Sequence, residues 1–575
     1  MLLDTEAPRG VGARAVHDGR QTPPPPRWAG TQRVLLAMLA LLVFYGALSL
    51  LNDPRGTLGT DTGGKLATLR AMDERGALDP DLGYWAARYD PDGHLHPLYY
   101  TDHVGHRWVN VTTLPMLYAA YPLYLVGGER AVLALPMLGA VLAALAARAL
   151  AERMRRGSGW WAFWAVGIAS PVALYALDFW EHAPGVAAVL WATVLAVDVA
   201  ERRAGWRGAA AAGLLLGFAA TMRTEALVYA VVMIAVVCAR RLRRGEALRR
   251  VAAIGAMTTG ATGVVLLMNQ VLERVTVGAG VRAGRAAGTA GRTAGGLDRR
   301  VDEALTSTIG FDRFPGSADW LLGAVVIAAL GVAAWAFTRR DPRSRRLGSL
   351  AIAVAALGYA IRFSDGLGFV PGLLTASPLA VAGVLLVRRS GTTARTVGLV
   401  ALVPVPIIWA TAFTGGATAQ WGGRYVLMSG ALLAVVGVTA LGSAGRTAAV
   451  VFITAGMLVT ATGVAWLSAR SHTLADAMEH LVDRHDEVLV SGVQHLLREG
   501  GAYYEPDHRW LTATTAREIR MAFETAQRSG AREVGLVQLD GDRRPRALGE
   551  FIRAGQPEHL EIVPGVPVVV TTYTR

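Results

Sequence analysis

Residues 34–51 read VLLAMLALLVFYGALSLL, eighteen residues without a charge, entered from Arg33 and left through Asn52-Asp53-Pro54-Arg55. A helix rises about 1.5 Å per residue, so such a run crosses the hydrocarbon core of a bilayer. The run starts too late and continues too long for a cleavable signal peptide. Further apolar runs follow at 131–150, 160–177, 184–200, 208–222, 226–239, 251–270, 320–338, 348–361, 369–387, 396–413, 425–442 and 447–467. The sequence therefore predicts an α-helical polytopic membrane protein with about 13 transmembrane helices. The apolar segment 111–127 carries Pro115 and Pro122 and reads as a helix lying in the membrane interface.

The 575 residues are 53% hydrophobic and 18% charged, below the roughly one quarter usual for soluble chains. The net charge of +13 suggests a nucleic-acid partner only until the arginines are located. On the thirteen-span topology, 21 arginines between Arg153 and Arg446 fall on connections of one side. Only Arg223, Arg362 and Arg424 fall on short connections of the other. Positive residues mark the cytoplasmic side, so the basic excess sets orientation and no nucleic acid is implied. The N-terminus is expected inside the cell, and the segment after the last span outside.

Three divisions follow. Residues 1–32, polar and with the run Pro23–Pro26, read as a disordered cytoplasmic tail. Residues 33–469 form the membrane domain, with outer loops at 52–130 and 271–319. Residues 470–575 change to a soluble composition. There Ala475–Arg484 and Thr515–Arg528 read as helices, Glu487–Val493 and Glu533–Leu539 as strands, and Val563–Tyr573 as β-rich. This predicts a small α/β extracytoplasmic domain. Cys238, the single cysteine, lies in an apolar run, so the domain folds without disulfides.

The first outer loop is acidic. It contains Gly59-Thr60-Asp61-Thr62-Gly63-Gly64-Lys65, and then Leu66, Leu69 and Met72 on one helical face that can rest on the membrane. Asp61 stands where a carboxylate caps free backbone N–H groups, and Lys65 follows one turn later, within reach of it. Lys65 is the only lysine in the chain. Either arginine has replaced lysine elsewhere through codon bias, or this position needs a compact ammonium. Other outer span ends carry Trp180-Glu181-His182, Arg223-Thr224-Glu225 and Gln420-Trp421-Gly422-Gly423-Arg424-Tyr425. Singly, each reads as a solvated turn or an interfacial anchor. Together they mix acids, cations and aromatics on one side of a membrane, where charge is costly and marks a site. His94, His96, His103 and His106 read as polar surface groups, and no P-loop, dinucleotide fingerprint or nucleophile elbow is present.

The order of these features resembles the GT-C superfamily of integral-membrane glycosyltransferases, in its actinobacterial, polyprenyl-phosphate-dependent form. The resemblance rests on Asp61 soon after the first span and on the amphipathic stretch Trp108–Val126. It rests also on Arg223-Thr224-Glu225 after a small-residue span, where relatives often have Arg-Pro-Glu, and on Gly423-Arg424-Tyr425 opening a late span. The adjacent acid pair of many relatives is missing, since Thr62 and Gly63 follow Asp61, so no metal or other cofactor is implied. The Trp-Trp-Asp motif of oligosaccharyltransferases is absent as well, which argues against en bloc transfer to protein.

The resemblance implies an enzyme of the bacterial plasma membrane. It would move a mannose- or arabinose-type sugar from a polyprenyl-phosphate donor to a cell-envelope glycan or lipid, with inversion. Asp61 would be the general base, and Lys65, Arg223 and Arg424 would bind the donor phosphate. Glu181, His182, Glu225, Gln420, Trp421 and Tyr425 would contact sugar or acceptor, with Trp180 as a further stacking candidate. A flippase of lipid-linked sugar, or a polymerase or ligase using a lipid-pyrophosphate glycan, are the alternatives that the same residues leave open.

Overall fold

The computed structural model describes residues 27–57, 59–110, 112–278, 297–312, 316–339, 341–363, 369–411, 421–484 and 486–575. The N-terminal tail to residue 26, most of the Gly/Ala/Arg stretch in the loop 271–319, and Gln420 lie outside them.

Every predicted span is helical, but the thirteen are not equivalent. Among the described residues nine helices are long and apolar enough to cross a membrane: Thr31–Ser49, Ala134–Met154, His182–Ala200, Leu248–Val277, Ser317–Phe337, Pro342–Phe363, Thr392–Thr411, Arg424–Ala444 and Arg446–Asp483. The other four fall short for visible reasons. Gly159–Ile168 is broken before Val172–Tyr175 at Ser170-Pro171, and Leu373–Ala376 is broken from Pro378–Leu386 at Ser377-Pro378. Proline lacks the N–H that would continue the ladder and pushes its predecessor out of helical backbone. Trp206–Met222 has 17 residues, and Ala226–Arg243 ends in Arg240, Arg241 and Arg243. Leu35, Leu36 and Leu39 are exposed along the first helix, as expected of a surface that faces lipid.

Small residues bring these helices close. Gly213 and Gly217, four apart in Trp206–Met222, face Leu248–Val277. A Cβ at Gly217 would lie 2.8 Å from the Thr262 carbonyl oxygen, and Thr262 Oγ1 donates to the Gly213 carbonyl at 3.0 Å. Such spacing permits helix contact where no hydrophobic force distinguishes helix from lipid. It also fixes the end of the helix that delivers Arg223.

Leu114–Ala131 is a separate helix interrupted at Gly127 and Gly128. The preceding loop folds into the hairpin β1 (Thr101–Val104) and β2 (Arg107–Asn110). The long helix Arg446–Asp483 leads from the membrane part into the C-terminal unit. That unit has strands β3 (Val488–Ser491), β4 (Trp510–Thr512), β5 (Glu533–Leu539), β6 (Ala547–Leu548), β7 (Phe551–Val563) and β8 (Val566–Thr574), in the order β4-β3-β5-β8-β7-β6. The β3–β4 and β3–β5 pairs are parallel, and the others are antiparallel. Helix Ala516–Arg528 starts in a capping box. Glu518 N–H donates to Thr515 Oγ1 at 3.2 Å, and Thr515 N–H donates to Glu518 Oε2 at 3.0 Å.

The C-terminal unit rests on the first loop. Thr512 Oγ1 donates to the Pro97 carbonyl at 2.8 Å, and Tyr504 Oη to the Leu82 carbonyl at 3.1 Å. Two sequence expectations change here. Leu66, Leu69 and Met72 are buried inside the protein rather than laid on a membrane surface. His96 is not a surface group. It is buried, stacked on Trp108 with ring centroids 5.3 Å apart, and its Nδ1 accepts from the Leu98 N–H.

Candidate active site

Helix Thr60–Arg75 starts after Gly59, so Asp61 is not its cap. The Asp61 carboxylate turns instead to two arginines from distant parts of the chain. Arg424 forms an ion pair with Oδ2, and Arg498 of the C-terminal unit lies 3.6 Å from Oδ1. Arg424 is held from three sides. Its guanidinium stands 4.7 Å over the Trp180 ring and 5.5 Å over the Tyr425 ring, and Nε donates to His182 Nε2 at 3.3 Å. Arg498 donates from Nη2 to Asn110 Oδ1 at 3.0 Å and lies 4.9 Å from the centre of the Tyr100 ring. Two glycines admit it: a Cβ on Gly64 would sit 2.7 Å from Asn110 Nδ2 and 2.9 Å from Arg498 Nε, and one on Gly63 would strike the Arg498 carbonyl.

A second layer lies behind. Lys65 Nζ donates to Glu181 Oε2 at 2.6 Å, and Arg223 Nη1 donates to Glu181 Oε1 at 3.1 Å. Arg223 Nε donates to Glu225 Oε1 at 2.8 Å, and Thr62 Oγ1 to Asp178 Oδ2 at 2.9 Å. The pairing of Lys65 with Asp61 expected from their spacing is not formed. Lys65 points inward, its side chain wholly buried against Glu181, and its ammonium lies 5.3 Å from the Phe179 ring. The eight charged side chains comprise four acids and four bases, so the buried charge is balanced. Balance is what makes burial of so many ions tolerable.

The layers differ in access. Asp61 keeps 27% of its side-chain surface exposed, against 12% for Arg424 and 8% or less for Arg223, Glu181, Glu225, Lys65 and Arg498. The charged group that meets solvent is thus a carboxylate flanked by two guanidiniums. Burial raises its pKa, but Arg424 and Arg498 outweigh burial and hold the carboxyl below the usual carboxylate range.

The other predicted residues separate. His182 is buried in a cluster with Tyr175 and Trp180, with ring centroids 4.8 and 4.6 Å away. Trp421 is a core residue. It packs on Phe369 and Trp466, and its carbonyl accepts from Tyr175 Oη at 2.8 Å, so neither ring face is open to a sugar. Trp180 is likewise buried. Tyr425 keeps some exposure beside both Arg223 and Arg424. Arg498, Asn110 and Tyr100 were not foreseen. Their one trace in sequence is Arg498 within Leu496-Leu497-Arg498-Glu499-Gly500-Gly501, a charge among apolar residues followed by paired glycines. Among the described residues, no group of three or more His, Cys, Asp or Glu is arranged to hold a metal ion.

No family model and no curated protein matches this chain. Among solved structures, it is similar to the Archaeoglobus fulgidus oligosaccharyltransferase in the apo form, with 14% identity and a TM-score of 0.45, over 87% of this chain and 69% of that one. It is also similar to ArnT from Cupriavidus metallidurans bound to undecaprenyl phosphate, with 14% identity and a TM-score of 0.42, over 94% and 98%. ArnT in the apo state gives 13% and 0.44, over 95% and 98%.

Proposed function

We propose that this chain is an integral-membrane glycosyltransferase of the GT-C type, taking a sugar from a polyprenyl-phosphate donor and passing it to an acceptor hydroxyl with inversion. The observation that carries this is the partly exposed Asp61 carboxylate between Arg424 and Arg498. A base and an anion-binding pair at one point are what displacement from a lipid phosphate requires. The acceptor oxygen attacks the anomeric carbon as the bond from that carbon to the phosphate oxygen breaks. The acceptor proton passes to Asp61, and the lipid phosphate departs with the bonding electrons. Arg424 and Arg498 neutralise its charge, so the reading calls on no metal. Lys65, Arg223, Glu181 and Glu225 form the layer that holds these groups in place, rather than touching the donor.

The arginine asymmetry supports an outward-facing site in a bacterial plasma membrane, with the N-terminus inside and the C-terminal unit outside. Nucleotide sugars are absent there, so the donor must be lipid-borne. A mannose- or arabinose-type sugar and a cell-envelope glycan or lipid acceptor follow the sequence resemblance. The direct test incubates the purified chain with radiolabelled synthetic polyprenyl-phosphate mannose and arabinose and envelope acceptors. A covalent labelled product supports the reading. Movement of donor across vesicles without product would make the protein a flippase instead.

Arg498→Gln gives a second check. It removes one of the cations that favour ionised Asp61, so Asp61 protonates at a higher pH than in the parent. The acid limb of kcat/KM then moves upward, and activity is lost earlier on acidification. An unmoved acid limb with reduced activity would leave Arg498 as packing alone.

A further inference from the structure

Next to Asp61 stands a group of rings that the transfer chemistry does not use. Tyr99 and Tyr100, just before β1, meet His495 of the C-terminal unit. Tyr99 and Tyr100 are 4.4 Å apart at 65°, Tyr99 and His495 5.2 Å apart at 71°, and Tyr100 and His495 6.1 Å apart and nearly parallel at 16°. The Tyr100 ring also covers Arg498 at 4.9 Å, and Arg498 reaches Asp61. Tyr99 is 38% exposed, and Tyr100 and His495 keep part of their surface open. Nearby aromatics with a purely structural role, Trp108, Tyr504 and Trp510, are buried. The Tyr100 backbone sits at φ 66°, a left-handed conformation that a bulky side chain adopts at a cost. Conformations of this kind persist where surroundings hold a residue for a purpose, ligand clamps among them.

We infer that Tyr99, Tyr100 and His495 form the acceptor subsite and that the acceptor is a neutral glycan, one ring of which stacks on this wall while its hydroxyl meets Asp61. The inference rests on the transferase reading above and names the class of acceptor for it. A sugar ring has an apolar C–H face and a hydroxyl rim. Tyrosine and histidine match it with apolar faces and polar edges. An anionic glycan fits poorly: acidic residues outnumber basic ones between Asp53 and Asp102, and the two nearby cations are already matched by Asp61 and reserved for the donor phosphate. The wall draws on the first loop and the C-terminal unit together, so that unit is part of the site.

The test uses the full chain in detergent, with short linear mannan and arabinan oligosaccharides as neutral probes and oligogalacturonate as an acidic one. Saturation-transfer NMR reads binding, and steady-state kinetics read KM for the same oligosaccharides. Tyr99→Ala and His495→Ala weaken neutral-probe binding and raise acceptor KM by about tenfold or more, with donor KM unchanged. The exposure of Tyr99 lets Tyr99→Ala fold, which a thermal midpoint confirms. Unchanged binding and KM in both variants, tighter binding of the acidic probe, or no binding of neutral probes to the parent each overturn the subsite. If no lipid-phosphate sugar is transferred but neutral-probe binding still depends on Tyr99, the transferase reading fails and the glycan site stands.

Discussion

Asp61→Asn lowers kcat for sugar transfer by about a thousandfold, within the range expected when a general base is removed. Asparagine keeps the shape of the side chain but has no basic oxygen, so the acceptor proton has no destination as the anomeric carbon is attacked. Asp61 is also the ligand that Arg424 and Arg498 hold when no phosphate is present. Donor phosphate and the Asp61 carboxylate therefore compete for the same cations. Removing the carboxylate tightens donor binding while turnover collapses, and this split separates a catalytic carboxylate from a structural one. Some stability is lost as well, because the buried Arg498 and Arg424 lose the carboxylate between them, although Arg424 keeps its contacts with Trp180 and Tyr425. Donor affinity by equilibrium binding, kcat under saturating donor, and a thermal melt check the three parts. Turnover at the parent rate in a folded protein would remove Asp61 from the chemistry. Asp61→Glu also loses rate, since one added methylene moves the carboxylate off the line between acceptor and donor.

The membrane helices were readable because hydropathy acts locally: an uninterrupted apolar run has few alternatives in a bilayer. Four predicted spans nevertheless changed: prolines at 171 and 378 break two of them, a third has only 17 residues, and the fourth ends in three arginines. In the C-terminal unit the helix at 515–528 and the strand Glu533–Leu539 were readable for the same local reason, whereas β4, β6 and most of β7 were not foreseen. Asp61 and Arg424 were legible as members of one outer cluster, but their partners were not. Spacing along a helix suggested that Lys65 meets Asp61, whereas burial turns Lys65 toward Glu181, 116 residues away. Arg498 lies farther still, in a part of the chain that reads as a separate soluble domain. Its arrival beside Asp61 depends on Gly63 admitting the Arg498 backbone and Gly64 admitting the Arg498 and Asn110 side chains, a property that no periodicity encodes.

Glu181→Ala is expected to be the most destabilising single change in the site. Its carboxylate bridges Lys65 and Arg223, and all three side chains are at most 8% exposed. Removing one partner of a buried pair costs about 3–5 kcal/mol, because the ion left behind has neither water nor counter-charge. In Glu181→Ala, Arg223 keeps Glu225, whereas among the described residues Lys65 has no second carboxylate in ion-pair distance. Lys65→Met leaves Glu181 still paired with Arg223, so it costs less. The double variant Lys65→Met/Glu181→Gln recovers part of the loss of Glu181→Ala, since the stranded ammonium is gone. Thermal unfolding in one detergent ranks the three, and a Glu181→Ala protein that melts like the parent would deny the cluster its structural role. Lys65→Arg then decides why the chain has one lysine. If codon bias alone explained the absence of the others, arginine here would be tolerated. The Lys65 side chain is wholly enclosed, its Nζ 2.6 Å from Glu181 and packed over Phe179. A planar guanidinium needs more room and more acceptors than that enclosure offers. Lys65→Arg therefore destabilises the protein although charge is kept, which makes the single lysine a requirement of this buried site.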